Sequence, residues 1–397
     1  MIRASICCLL CIFLTGCWDL QDIEERGHVM GIALDLTDEE IPQDGNESLN
    51  NGENKNIHLT AQVAIPEQGG DGQTTSTKKY VNISAVSHSV FDALRLLSNK
   101  SSRVLTFDHL KLLSISDEIA ESTHFNGGLI DYFLRDHQMR RQILFFVTEG
   151  EAKTLLEHQG YYDDIPALNI LAITENFTRT NRMPPPFAVG ELNNEIAKDT
   201  SFIIRKVKMN KDGEGVTVAG GLLFDGKMNK LAGELVGDDI VAYNLLAGEH
   251  QNGIITTEDK DGNIISFEVF ESSVDIKPTV NGEDISFNIT ISVTGNLGEA
   301  QQLRYDPLTN EHYLKEIEQQ VNKKIKHITN DLMTKLQEEY RLDPLDLLDK
   351  IRIADYSAYK KIKDNWDRGE KVFTNADFRF HIDTKIERMG VTGNAQK

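Results

Sequence analysis

Beyond position 17 the chain contains no cysteine; its four are Cys7, Cys8, Cys11 and Cys17. A disulfide framework, a thiolate metal cluster and a cysteine nucleophile are thereby excluded from the body of the protein. Positive charge is also scarce, with 42 Lys and Arg against 62 Asp and Glu and a net charge of −20. So acidic a surface is repelled by nucleic acid and by anionic headgroups, which argues against DNA, RNA or basic-patch membrane binding. Screening over about 8 Å confines that repulsion to near contact. Catalytic signatures are missing as well. There is no Gly-x-x-x-x-Gly-Lys-Ser/Thr phosphate loop, no Gly-x-Gly-x-x-Gly after a strand, no Gly-x-Ser-x-Gly elbow and no His-Glu-x-x-His helix.

What the N-terminus does have is a short apolar stretch, Ala4 to Leu14, behind a single cation, Arg3, and ahead of Leu14-Thr15-Gly16-Cys17. As a helix its 11 residues reach about 17 Å at roughly 1.5 Å per residue. A bilayer core needs about 30 Å, so the segment does not serve as a spanning helix. A charged start, an apolar middle and small residues before a cysteine form the layout of a bacterial lipoprotein signal peptide over 1–16. The expected processing is cleavage after Gly16 and lipid attachment to the Cys17 sulfur. Two acyl chains of the palmitate kind, at about 0.8 kcal/mol per buried methylene, give lasting membrane attachment where one chain is marginal.

The length accommodates two or three domains. Strands are expected at Gly27 to Leu36, Ile57 to Ile65, Tyr80 to Val86, Leu110 to Ser116 and Ile143 to Thr148. Helices are expected over Ser87 to Asn99 and from a Ser116–Asp117 cap through about Asp136. The acidic, Gly- and Asn-rich stretch from Asp38 to Asn56 reads as a surface loop, as does Pro66 to Thr77. Two helical stretches, around Glu149 to His158 and Ile165 to Phe177, precede Pro184-Pro185-Pro186, which interrupts regular structure. Phe202 to Met209 and Gly215 to Phe224 flank Asn210-Lys211-Asp212-Gly213 as a hairpin.

Toward the C-terminus the periodicity is clearest. Ile285, Phe287, Ile289, Ile291 and Val293 alternate with polar residues, as do Phe378, Phe380, Ile382 and Ile386, giving one-faced strands. Leu314, Ile317, Val321, Ile325, Ile328, Leu332, Leu336 and Tyr340 step by threes and fours along an amphipathic helix. Asp343-Pro344 is placed to restart it, with Leu347, Ile351, Ala354, Ala358 and Ile362 as a second apolar stripe. The expected class is α+β, multi-domain, with mixed or antiparallel sheets each packed against helices. The expected units are an N-terminal domain over 17–150, a middle domain over 151–262 and a C-terminal domain over 263–397.

The residues that could carry chemistry do not assemble into a site. Asp259, Asp261 and Asn263 resemble a calcium loop, but the required glycine falls on Ile264, and Gly262 suits a hairpin turn instead. His109 and His381 have no His or Cys partner at metal spacing. Asp131, Arg135, Asp136, Arg140 and Arg141 sit at helical spacing as a solvated charged face. No cofactor or metal is expected, and Cys17 is the one site residue.

Taken in order, Gly16-Cys17-Trp18-Asp19, Asp22-Ile23-Glu24, Val29 to Asp35, His109-Leu110-Lys111, Asp117-Glu118-Ile119-Ala120 and Asp131 to Asp136 form a recognisable set. Gly220-Gly221-Leu222-Leu223-Phe224, Lys230-Leu231-Ala232-Gly233 and the last strand up to Gly390 continue it. This set resembles the Ger(x)C lipoproteins, the C subunits of spore-germinant receptors in endospore formers. The chain departs from their pattern at His137-Gln138 and at Gly237-Asp238-Asp239-Ile240. The resemblance implies a non-enzymatic subunit of three domains, lipid-anchored at the spore inner membrane. It implies action by protein–protein contact with two integral-membrane subunits of the A and B types, and leaves contact with the small-molecule germinant open. The alternative is a solute-binding lipoprotein of a membrane transporter, which would show two α/β lobes around a cleft. A cell-wall hydrolase, the third reading, would need an acid pair assembled in space.

Overall fold

The computed structural model describes residues 26–41, 55–65, 78–122, 125, 129, 131–135, 139–249, 252–282, 284–300, 311–368 and 371–389. The signal, Cys17, most of both surface loops, Asp136 to Gln138 and Gly390 lie outside these residues.

The first half builds one large mixed sheet. Its strands are β1 (Arg26–Thr37), β2 (Asn56–Ala64), β3 (Tyr80–Ser87), β4 (Val104–Thr106), β5 (Leu112–Ser116) and β6 (Leu144–Thr148). β7 (Phe202–Met209), β8 (Val216–Asp225) and β9 (Lys230–Leu235) complete it. The spatial order is β3-β2-β1-β5-β6-β7-β8-β9, with β4 beside the start of β1. β1, β5, β6 and β7 run parallel, and antiparallel hairpins close both sides. The sheet therefore takes strands from both 17–150 and 151–262.

Helices cover it on both faces. On one lie α1 (Val90–Leu97), α2 (Asp117–Glu121) and α3 (Asp131–Arg135), over a core that includes Ile32, Leu113, Phe145 and Phe224. On the other lies α4 (Pro166–Glu175), with the 3-10 turn Ala152–Leu156, over Ala33, Leu112, Phe146 and Val218. α5 (Val189–Lys198) follows the Pro184–Pro186 stretch and packs on the first core through Val189 and Leu192. Ser89 and Ser116 cap α1 and α2, accepting from the Asp92 and Ile119 amides.

The second half builds a four-stranded sheet ordered β10-β11-β12-β13, from β10 (Gly253–Glu258), β11 (Ile264–Asn281), β12 (Asp284–Ala300) and β13 (Asp377–Met389). The first three are antiparallel and β13 joins β12 in parallel. Its helices gather on one face: α6 (Asp238–Ala247), α7 (Glu311–Thr334), α8 (Leu347–Ala354) and α9 (Tyr356–Ile362). α7 buries Ile317, Val321, Ile325, Ile328 and Leu332 and widens into a π turn over Lys335–Tyr340. The fold is thus α+β with two sheets, each packed against helices.

Several local expectations differ from what forms. The helix expected from Ser116 to Asp136 breaks at Ser122, whose extended backbone ends α2. Around Glu149 to His158 only a 3-10 turn forms. Asp343-Pro344 is a turn, not a helix start; α8 begins at Leu347, and Asp343 instead accepts the Leu345 and Leu348 amides. The second stripe is two helices, because Asp355 turns extended and caps α9 through the Ser357 and Ala358 amides. β4, α5 and α6 had no sequence signal. α6 is buried on most sides, at Ile240, Val241, Ala242, Asn244, Leu245 and Leu246, so it has no single apolar stripe to detect.

Candidate interaction surface

Cys17 lies outside the described residues, so the structure begins to bear on the anchor only at Arg26, where β1 starts. There β1 pairs with β4, Gly27 beside Leu105, and His28 meets His109 edge-on with ring centroids 5.0 Å apart. His109 is exposed beside this edge, and His381 is exposed on β13, far along the chain. The charged group does not converge: Asp131 pairs with Arg135 at 2.7 Å, while Arg141 donates to the Gly190 carbonyl and to Asn194 on α5.

The calcium-like trio forms the β10–β11 turn. The Asp259 carboxylate accepts from the Asp261 and Asn263 amides and the Asn263 side chain, each at 2.9 Å, and from the Tyr313 hydroxyl at 3.1 Å. Burial pushes its pKa up, but these donors outweigh that and hold it below the usual aspartate value. Gly262 takes the left-handed φ of 83° that the turn requires. No group of three or more His, Cys, Asp or Glu side chains that could hold a metal occurs among the described residues.

Three charged groups are buried with little sequence signal for their burial, and each bonds backbone. Asp35 on β1 accepts the Ala152 amide at 2.5 Å and the Lys153 amide at 3.0 Å, fastening the 3-10 turn to the sheet. Burial pushes its pKa up to about 6, against the lowering effect of those amides. Asp343 accepts the Trp366 indole at 2.7 Å beside the two amides of its turn, and burial pushes it up to about 7. Arg205 on β7, fully buried, donates to the Pro184 carbonyl at 2.8 Å and lies over the Phe177 ring at 5.2 Å. Burial pulls its pKa down to about 10. The signals were present but faint: Asp35 ends a run of apolar residues, and Arg205 sits inside an apolar strand.

The two halves meet in a packed seam. Ile203, Leu223 and Leu235 of the large sheet belong to the same core as Phe267, Phe287 and Leu332. Gly233 lies under Tyr340, whose hydroxyl donates to the Glu234 carbonyl at 3.1 Å. A Cβ at Gly233 would come within 2.1 Å of the Tyr340 ring, so the close approach requires glycine. Across the seam Arg368 pairs with Asp199 at 3.2 Å. Asn244 donates to the Met183 carbonyl, Asn181 to Ile254 and Asn252 to Thr178. A polar cleft of about 570 Å³ lies beside the start of β3, where Lys78 and Lys79 face Glu157, Asp163 and Asp164. Neither Asp35 nor Asp343 lines it. No helix among the described residues is long and apolar enough to cross a membrane.

Comparison with known proteins covers nearly the whole chain. The N-terminal domain of spore germination proteins matches residues 19–209, and the spore germination B3/GerAC-like C-terminal domain matches residues 219–390. Spore germination protein B3 of Bacillus subtilis (strain 168) is 27% identical over 98% of this chain and 98% of its own. Spore germination protein A3 of the same organism is 26% identical, again over 98% of both chains. The crystal structure of the GerBC protein superposes with a TM-score of 0.60 at 25% identity, over 84% of this chain and 94% of that one.

Proposed function

The chain belongs to the spore germination B3/GerAC-like family, and on that premise we propose that it is the lipid-anchored C subunit of a spore germinant receptor. It works by touching its partners, not by chemistry. The observation that carries this reading is the match of both domain families, in order and in one chain, over residues 19–390. A solute-binding lipoprotein would bring two α/β lobes around a cleft, whereas here one nine-stranded and one four-stranded sheet share a packed seam.

The anchor is Cys17, lipidated after removal of 1–16, on the outer face of the spore inner membrane. From Cys17 to Arg26 the chain reaches about 30 Å at most when extended, so the lipid would hold the β1 start of the large sheet toward the bilayer. The partners are the A- and B-type integral-membrane subunits. Within this proposal units 17–150 and 151–262 share the large sheet, and 263–397 carries the small one except for its edge strand β10, which comes from 151–262.

Cys17→Ala tests the reading in spores. The altered chain is expected to leave the membrane fraction and to lose nutrient-triggered germination. Normal germination by a fully soluble chain would overturn the anchoring role, and a substrate turned over by the purified protein would overturn the non-enzymatic one.

A further inference from the structure

Strand β13 ends the small sheet: β12 flanks one side, and no described strand pairs with the other. An edge of that length offers its unpaired amides and carbonyls to any extended chain. Its open stretch has definite ends. At the start, the 3-10 turn Val372–Asn375 and buried Ala376 lead into the strand. At the far end Glu318 of α7 accepts the Ile386 amide at 3.0 Å, closing the edge there. That bond also shows that even-numbered residues direct their amides away from β12, since amides alternate along a strand. The usable stretch is therefore Phe378 to Thr384, and His381 is its midpoint.

The outward side chains carry alternating charge. Asp377, Arg379, His381, Asp383 and Lys385 are all exposed, while Phe380, Ile382 and Thr384 face the core. We propose that this edge pairs with the same edge of a second copy of the chain, antiparallel, about a twofold axis at His381. In that register Arg379 stands opposite Asp383 of the second copy and Asp377 opposite its Lys385, and symmetry repeats both pairs. Even-numbered residues then face one another, Phe378 with Thr384 and Phe380 with Ile382, as the hydrogen-bonded pairs of an antiparallel ladder. A slip of one pairing in one direction sets Arg379 against Lys385 and Asp377 against Glu387. A slip in the other sets Asp377 against Asp383 and leaves Arg379 without an acid opposite it. Like charges directly opposite destabilise a ladder, so charge selects the register centred on His381. Lys385 already bonds Glu387 at 2.9 Å and would share itself between the two acids.

The register makes a sharp geometric demand. Opposite residues of a non-hydrogen-bonded pair have Cα atoms about 4.5 Å apart, inside the span of about 4.4–6.8 Å that a disulfide bridges. The full-length chain carrying His381→Cys, made in its native membrane and mildly oxidised, is expected to run as a disulfide-linked dimer on a non-reducing gel. Single Arg379→Cys and Asp383→Cys chains place their thiols about 13 Å from their own symmetry mates, and are expected to crosslink about tenfold less. Adding Arg379→Asp to His381→Cys should cut the dimer about fivefold, and adding Asp383→Arg to that chain should restore it. A monomeric His381→Cys chain, equal crosslinking by the three single variants, or no recovery on charge exchange would each overturn the proposal. The unchanged chain runs alongside. A dimer from it reports a free thiol at Cys17 or in a retained leader (Cys7, Cys8, Cys11) and counts against the processed lipid anchor, leaving the edge pairing to be judged on the band specific to His381→Cys.

Discussion

In the large sheet Leu112 and Leu113, neighbours on β5, are both buried, one beneath α4 and the other beneath the α1–α3 layer. In the small sheet Phe287 is buried while Ser286 and Asn288 beside it face water. A strand covered on both faces has no use for alternation, and one covered on a single face depends on it. The first region therefore encodes its central strands as apolar runs and the second its strands as a period of two.

The largest test of this contrast is substitution along each strand, followed by chemical denaturation. Leu112→Ala and Leu113→Ala should each cost about 2–5 kcal/mol, because each empties a different core. Phe287→Ala should cost about 3–5 kcal/mol, while its neighbour Asn288→Ala stays within about 0.5 kcal/mol. Equal losses at Phe287 and Asn288 would break the comparison.

A smaller effect is expected where the two regions touch. Gly233→Ala drives a methyl group into the Tyr340 ring and should cost about 1–3 kcal/mol. Tyr340→Ala in the same chain should return part of that loss, since it removes the obstructing atoms. Full independence of the two substitutions, read from the urea midpoints of the double variant, would show that the seam is looser than its packing implies.

The smallest effect is a slope. Asp343 in the small-sheet region has its folded pKa raised to about 7, so the unfolded chain releases this proton at lower pH than the folded one. Its contribution to stability is full below pH 4 or so, the ordinary aspartate range, and is lost as pH rises toward 7. Asp343→Asn should flatten that part of the pH dependence of the melting temperature. An unchanged profile would place the titration elsewhere.

Much of this was legible beforehand, for reasons tied to particular residues. β1, β2, β3 and β5 to β8 were located because apolar runs or alternation ended at turn residues, as at Asn210 to Gly213. α7 was located because a helix covering one sheet face must repeat its apolar stripe. Two elements without a signal are ones whose position or length erases periodicity. α6 is wedged between α7 and both sheets, and β4 has three residues, too few for any pattern. Asp343 shows a different failure: its side chain does cap amides, as Asp before Pro suggested, but Trp366 recruits it into the core and the helix starts later. The charges at the edge of β13 were visible as alternation, yet their complementarity is a property of two strands and needs the sheet order to be seen.

The parallel joining of β13 to β12 has a consequence for how the molecule comes into being. Ser286 lies beside Asp377 in that ladder, so α7, α8 and α9 must all be laid down before the sheet can receive its last member. Closing so large a loop is slow relative to zipping a hairpin. Until the final strand is made, Phe287 lacks the Phe378 ring that stacks on it 5.2 Å away, and the nascent chain waits with that part of its core half dressed.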